Sequence, residues 1–126
     1  MFNHPTPSSL PEKGPVVTKA VVRAGEQLQL SARILAGVIG VSEATLSRMK
    51  RGDFQLQPGT KPFELALLFV RLYRSLDAIV GGEDQVAASW LSHSNTALNG
   101  KPLDKIQSVS GLIDVIAYLD ARRALV

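Results

Sequence analysis

Residues 32–51, ARILAGVIGVSEATLSRMKR, constrain this chain most, because their apolar, small and glycine positions are those of two short helices crossing over a tight turn. Leu35, Ile39, Val41, Leu46 and Met49 can all face one core at helical spacing. Ala36 stands where the second helix passes so close that a larger side chain would push it away. Gly40 can take the positive φ that ends the first helix, and Ser42 follows as an N-cap whose hydroxyl satisfies an orphan backbone donor of the second. The pattern is a helix-turn-helix, and its second helix suits a DNA major groove.

That second helix would present Ser42, Glu43, Ala44, Ser47 and Arg48, with Lys50, Arg51 and Lys61 placed to meet phosphates. Arg48 is the candidate base reader, since a guanidinium can bond guanine O6 and N7 together. The competing reading is an ordinary helical hairpin whose basic residues form a solvated face.

Charge placement favours the first reading. The formal charge is +3, but residues 1–80 carry ten Lys or Arg against six Asp or Glu, while residues 81–126 carry four against five. The part holding the helix-turn-helix is therefore the part suited to a polyanion, and the remainder wants a different partner. The 126 residues, 45% hydrophobic, suffice for one ordinary domain or two small helical modules sharing a core. Cysteine is absent, which excludes disulfides and thiolate chemistry. No basic segment followed by an apolar run opens the chain and no stretch of eighteen apolar residues occurs, so the expectation is a cytoplasmic protein with no membrane partner.

Pro5, Pro7, Pro11 and Pro15, beside Ser8, Ser9 and Gly14, predict a disordered tail over 1–14. A first helix follows over 16–28, with Val17, Ala20, Val21, Ala24 and Leu28 along one stripe. After the helix-turn-helix, 52–60 is a loop, and Pro62 suits the first turn of a helix to about residue 80. That helix is apolar nearly all round, so it must be buried on more than one side, against the helix-turn-helix and against either the C-terminal module or a second copy of the chain. Gly81 and Gly82 break it, and Glu83 and Asp84 open another helix burying Val86, Trp90 and Leu91. Residues 95–100 form a turn, Pro102 begins a short helical turn, and Ser108 or Ser110 caps a last helix burying Leu112, Ile113, Val115, Ile116 and Leu119. The fold class is all-α: a DNA-binding domain over 15–80 and a small helical module over 81–126.

Trp90, Leu91, Asn95, Ala97, Leu98, Gly100, Pro102, Leu103, Asp104, Ile106, Ser108, Gly111, Val115, Tyr118, Leu119 and Asp120 together resemble the C-terminal toxin-binding domain of the Xre/MbcA/ParS antitoxins, with their Xre-like helix-turn-helix in front. The string W-L-x-x-x-N-x-A-L-x-G-x-P-L-D-x-I is the specific part of the likeness. The resemblance implies an antitoxin of a bacterial type II toxin–antitoxin pair, whose partner is a RES- or ParT-type toxin that consumes NAD or transfers ADP-ribose from it. Such antitoxins neutralise by direct contact and repress their own operon, as a homodimer or in a larger hetero-oligomer with the toxin. Most of the quoted residues read as core or turn. The candidate toxin contacts are Tyr118, Arg122, Arg123, Leu125 and Val126, since in this family the C-terminal segment commonly lies over the entrance to the toxin's active site. Paired guanidiniums there could occupy groups meant for a dinucleotide phosphate, or simply complement the last helix dipole.

An enzyme is the competing class, and the residues argue against it. The histidines are His4 and His93 alone, so no Cys/His metal cluster can be assembled. Ser92 and Ser94 lack a positioned base, and Gly81 and Gly82 lack the lysine and strand of a phosphate loop. No cofactor is expected. A closer alternative is a solitary Xre-type repressor with no toxin, its last helices serving only to dimerise; the presence or absence of an adjacent toxin gene discriminates the two.

Overall fold

The computed structural model describes residues 12–125, which form seven α-helices and no strand. They are α1 (Lys13–Gln27), α2 (Ala32–Ile39), α3 (Glu43–Arg51), α4 (Lys61–Ile79), α5 (Asp84–Ser92), α6 (Pro102–Lys105) and α7 (Val109–Arg123). A 3₁₀ turn, Thr96–Leu98, lies between α5 and α6.

Four hydroxyl caps set the starts of the longer elements. Ser31, Ser42, Thr60 and Ser108 each accept a hydrogen bond from the backbone N–H three residues on, opening α2, α3, α4 and α7. Of the two serines considered for the last helix, Ser108 is the cap. The turn between α2 and α3 forms as expected: Gly40 sits at φ 76°, and its N–H and that of Val41 both donate to the Ala36 carbonyl. Leu35, Ala36, Ile39, Leu46 and Met49 are buried beneath it, and Val41 is half-buried.

The N-terminal boundary differs from the sequence expectation. Lys13 and Gly14, assigned to the tail, are helical, whereas residues 1–11 lie outside the described ones. The buried stripe of α1 is Gly14, Thr18, Val21, Ala24, Gly25 and then Leu28; Val17 and Ala20 are only half-buried. The rotation follows from one polar residue. Thr18 Oγ1 donates to the Gly14 carbonyl at 2.7 Å and accepts the Leu56 N–H at 2.8 Å, so its hydroxyl is satisfied and can be buried. Leu56, in the loop after α3, is buried with it, which pins that loop to the first helix.

Helix α4 is the central element, touching α1 and α2 on one side and α5 and α7 on another. Phe63, Ala66, Phe69, Leu72 and Leu76 are buried along it. The C-terminal module closes through Ala87, Leu91, Leu98, Ile106, Leu112, Val115, Ile116 and Leu119. Two expected core residues are not in it: Val86 is 48% and Ile113 45% exposed. With Leu112, Val115, Ile116 and Leu119 forming the buried stripe, Ile113 lies about 100° away around the helix. Burial of Ala87 and Leu91 likewise turns Val86 outward. Among the described residues no helix is long and apolar enough to cross a membrane.

Candidate nucleic-acid interface and partner-binding face

Ser42, Glu43, Ala44, Ser47, Arg48, Lys50 and Arg51 are all exposed. The Ser42 hydroxyl accepts the Thr45 N–H and donates to Thr45 Oγ1, both at 3.0 Å. Thr45 Oγ1 in turn accepts from Arg48 Nη2 at 3.2 Å, and the Arg48 guanidinium stands 5.9 Å from the centroid of the Phe54 ring. Arg48 is thus held by a hydroxyl below and an aromatic face beside it, which restricts its side-chain conformations. Arg51 reaches Ser47 Oγ at 3.1 Å and Asp53 at 3.2 Å; both members of that ion pair are exposed, so it orients the guanidinium more than it stabilises the fold. Next to the end of α3 an open cleft of about 650 Å³ carries Lys19 and Arg23 of α1 together with Lys50 and Arg51, extending the positive surface beyond the reader helix. Lys61 is exposed at the first position of α4.

The C-terminal module exposes a different surface. Trp90 of α5 and Tyr118 of α7 stack with centroids 6.1 Å apart and planes 17° from parallel, and the Arg122 guanidinium lies 5.9 Å from the Tyr118 centroid. Val86 sits one turn before Trp90, and Leu125, 82% exposed, follows Arg122 by three residues. Trp, Tyr and Arg form a ladder, half-buried at its aromatic end and open at its basic end. On α4, Tyr73 donates to Asp84 Oδ1 at 3.3 Å; burial first, then the Asp77 and Asp84 charges, push its phenol up to about 12.

Two family models match the sequence in tandem: the antitoxin Xre-like helix-turn-helix domain over residues 10–71, and the antitoxin Xre/MbcA/ParS C-terminal toxin-binding domain over residues 75–124. The chain belongs to the Xre/MbcA/ParS antitoxins. The fold of this antitoxin is similar to that of a chain in the crystal structure of the M. tuberculosis MbcT–MbcA toxin–antitoxin complex, with a TM-score of 0.65 and 23% identity over 88% of this chain and 96% of that one. Comparison with curated proteins finds no match.

Within the antitoxin's second domain, the residues that carried the resemblance are mostly scaffold. Asn95 Oδ1 accepts the Leu98 N–H at 3.2 Å, Asn95 and Gly100 pair through their backbones, and Pro102 is buried at the start of α6. The five expected contacts separate. Tyr118, Arg122 and Leu125 lie along one face, and Val126 falls outside the described residues. Arg123 points elsewhere: its Nη1 approaches Ser75 Oγ at 3.5 Å, Ser75 donates to Asp120 at 2.9 Å, and Arg71 closes the cluster on Asp120. Arg122 and Arg123 are therefore not a guanidinium pair, since neighbours on a helix diverge by about 100°. Helical spacing alone places Val86 and Ile113 in the core, where the structure leaves them exposed, whereas Trp90 is half-buried against the core as its spacing predicts; Thr45 has as its only sequence signal the three-residue offsets from Ser42 and Arg48. His93, exposed, directs its Nδ1 onto the Ser89 carbonyl of its own helix at 2.7 Å. No group of three or more metal-ligating side chains occurs among the described residues.

Proposed function

We propose that this antitoxin neutralises a RES- or ParT-type toxin, one that consumes NAD or transfers ADP-ribose from it, by covering it with the α5/α7 face. The observation that carries the reading is the Trp90–Tyr118–Arg122 ladder inside the toxin-binding domain, half-buried at its aromatic end and exposed at Arg122. Tryptophan, tyrosine and arginine dominate the energetics of protein interfaces, and an aromatic stack gives them rigidity before the partner arrives. Arg122 and Leu125 extend the face toward the toxin's active-site entrance, and Val126, next in sequence, is assigned to the same contact. The protein is not an enzyme in this reading and needs no cofactor; it works in the cytoplasm.

With the toxin or as a homodimer, it represses its own operon through α3. Arg48 reads a base, Ser42, Glu43, Ala44 and Ser47 border the contact, and Lys50 and Arg51 meet phosphates, on a two-fold operator with half-sites about one helical turn apart. The test is co-expression with the product of the adjacent reading frame while cellular NAD is followed. Intact antitoxin should copurify with that product and hold NAD at its uninduced level, and Tyr118→Ala should release NAD loss. A neighbour that neither binds the antitoxin nor depletes NAD would remove the toxin from the reading.

A further inference from the structure

Lys19 and Arg23 lie four residues apart in the body of α1, both exposed, and among the described residues neither joins an ion pair. Like charges at this offset face each other across one turn and weaken an isolated helix. The helix dipole does not compensate, because no basic residue lies in the last turn of α1; Lys50 and Arg51, by contrast, end α3, where cations complement the dipole. The two pairs nevertheless line the same open cleft of about 650 Å³, four cations against the single carboxylate of Glu26 among the described residues. Its walls are fixed to one another, since Thr18 Oγ1, beside Lys19 in the chain, accepts the Leu56 N–H at 2.8 Å and ties the loop after α3 to α1. No lining residue comes from α4, α5, α6 or α7.

We propose that this cleft holds the sugar–phosphate backbone of the DNA strand bordering the groove that α3 enters, with Lys19 and Arg23 on consecutive phosphates. The proposal rests on reading α3 as the DNA-reading helix and adds a second helix to the grip. Lys50 and Arg51 follow Arg48 at the end of α3, where the helix leaves the base edges for the backbone, and the next cations outward are those of α1. Four residues of helix rise about 6 Å, comparable to the separation of neighbouring phosphates on one strand, so the pair can meet two of them at once. A phosphate also relieves the repulsion between Lys19 and Arg23 that the fold leaves uncompensated. A repeating polyanion is favoured over an acidic protein segment because the cleft is continuous with cations placed for phosphates and lies entirely on the helix-turn-helix side of the chain.

Fluorescence anisotropy of the full chain on a labelled DNA duplex of arbitrary sequence, over a range of salt concentrations, tests it. Phosphate contacts are blind to sequence, and each one removed lowers the slope of log K against log[salt] by about 0.9. Lys19→Ala and Arg23→Ala should each lower the slope by about that amount and weaken low-salt binding roughly tenfold, and the double variant should lower the slope by about 1.8. Helicity by circular dichroism should be retained, since both side chains are exposed. Lys19→Arg and Arg23→Lys should keep the slope, and so should Lys101→Ala, the same loss of charge on the exposed surface of the C-terminal module. Wild-type binding whose slope survives both alanine variants overturns the cleft and leaves the reader helix in place, whereas a wild type that binds no duplex overturns the reading of α3 and the cleft with it. An equal fall in slope with Lys101→Ala reduces the effect to net charge. Loss of toxin copurification in the cleft variants, with the DNA slope intact, assigns the cleft to an acidic protein segment; either of these results also overturns the proposal.

Discussion

On α3 the groups that hold Arg48 and Arg51 lie within six residues of them in the chain, whereas Tyr118 meets Trp90 from 28 positions away and Arg123 meets Ser75 from 48. The first surface is assembled by a helix and its caps; the second exists only after α4, α5 and α7 have packed. The first offers separated charges held by hydroxyls and an aromatic edge, suited to a regular polyanion. The second offers a contiguous aromatic body with one charge, suited to a shaped protein pocket.

The harshest way to break the distinction is to remove what both surfaces share. Phe69 is fully buried on α4, so Phe69→Ala should cost about 3 to 5 kcal/mol and depress operator binding and toxin inhibition together, read as a parallel fall in melting temperature and both activities. Trp90→Ala comes next and should separate them. Losing a ladder member should weaken toxin binding by about 2 kcal/mol or more by calorimetry, with operator affinity unchanged; equal losses at both ligands would show that the ladder is structural. Arg48→Ala is the mirror image, losing about 1 to 3 kcal/mol of operator affinity and relaxing specificity at one base pair, whereas Lys50→Ala or Arg51→Ala should weaken all sequences alike and lower the salt dependence. Equal, sequence-blind losses from all three would remove Arg48 as the reader.

The two C-terminal arginines sharpen the comparison on a finer scale. Arg122→Ala should raise residual toxin activity with the melting temperature unmoved. Arg123→Ala should do the reverse, lowering stability by less than about 1 kcal/mol, because its contact with Ser75 is long and partly buried. The smallest effect concerns pH. The folded Tyr73 phenol, at about 12, lies above its ordinary value of 10.0, so its contribution to stability is complete below pH 10 and is lost as pH rises toward 12. Ultraviolet titration should show one of the two tyrosines ionising late, and Tyr73→Phe should flatten that part of the stability curve.

The same contrast explains what the sequence made legible. Gly40, Ser42 and the apolar set from Leu35 to Met49 obey rules that act over three or four residues, so the reader helix and its exposed side chains are visible without a fold. Thr18 and Leu56 find each other across 38 positions, and no local pattern announces that a loop leucine will be buried beneath a threonine. Val86 and Ile113 have the spacing of core residues yet are exposed; which of two neighbouring apolar stripes is covered depends on the angle at which α5 and α7 meet α4. The divergence of Arg122 and Arg123 was readable from helix geometry alone, but its meaning required Ser75 and Asp120.

The helix-turn-helix and toxin-binding models meet inside α4, between residues 71 and 75, with no linker between them. An unbroken helix of 19 residues, about 28 Å long, works as a drive shaft: each residue added to or removed from its middle turns everything beyond it by about 100° and shifts it by 1.5 Å. Insertions and deletions within α4 should therefore be far less tolerated than in the 52–60 loop. The angular phase between the helix-turn-helix at one end and the toxin-binding domain at the other is fixed by the number of residues in this helix.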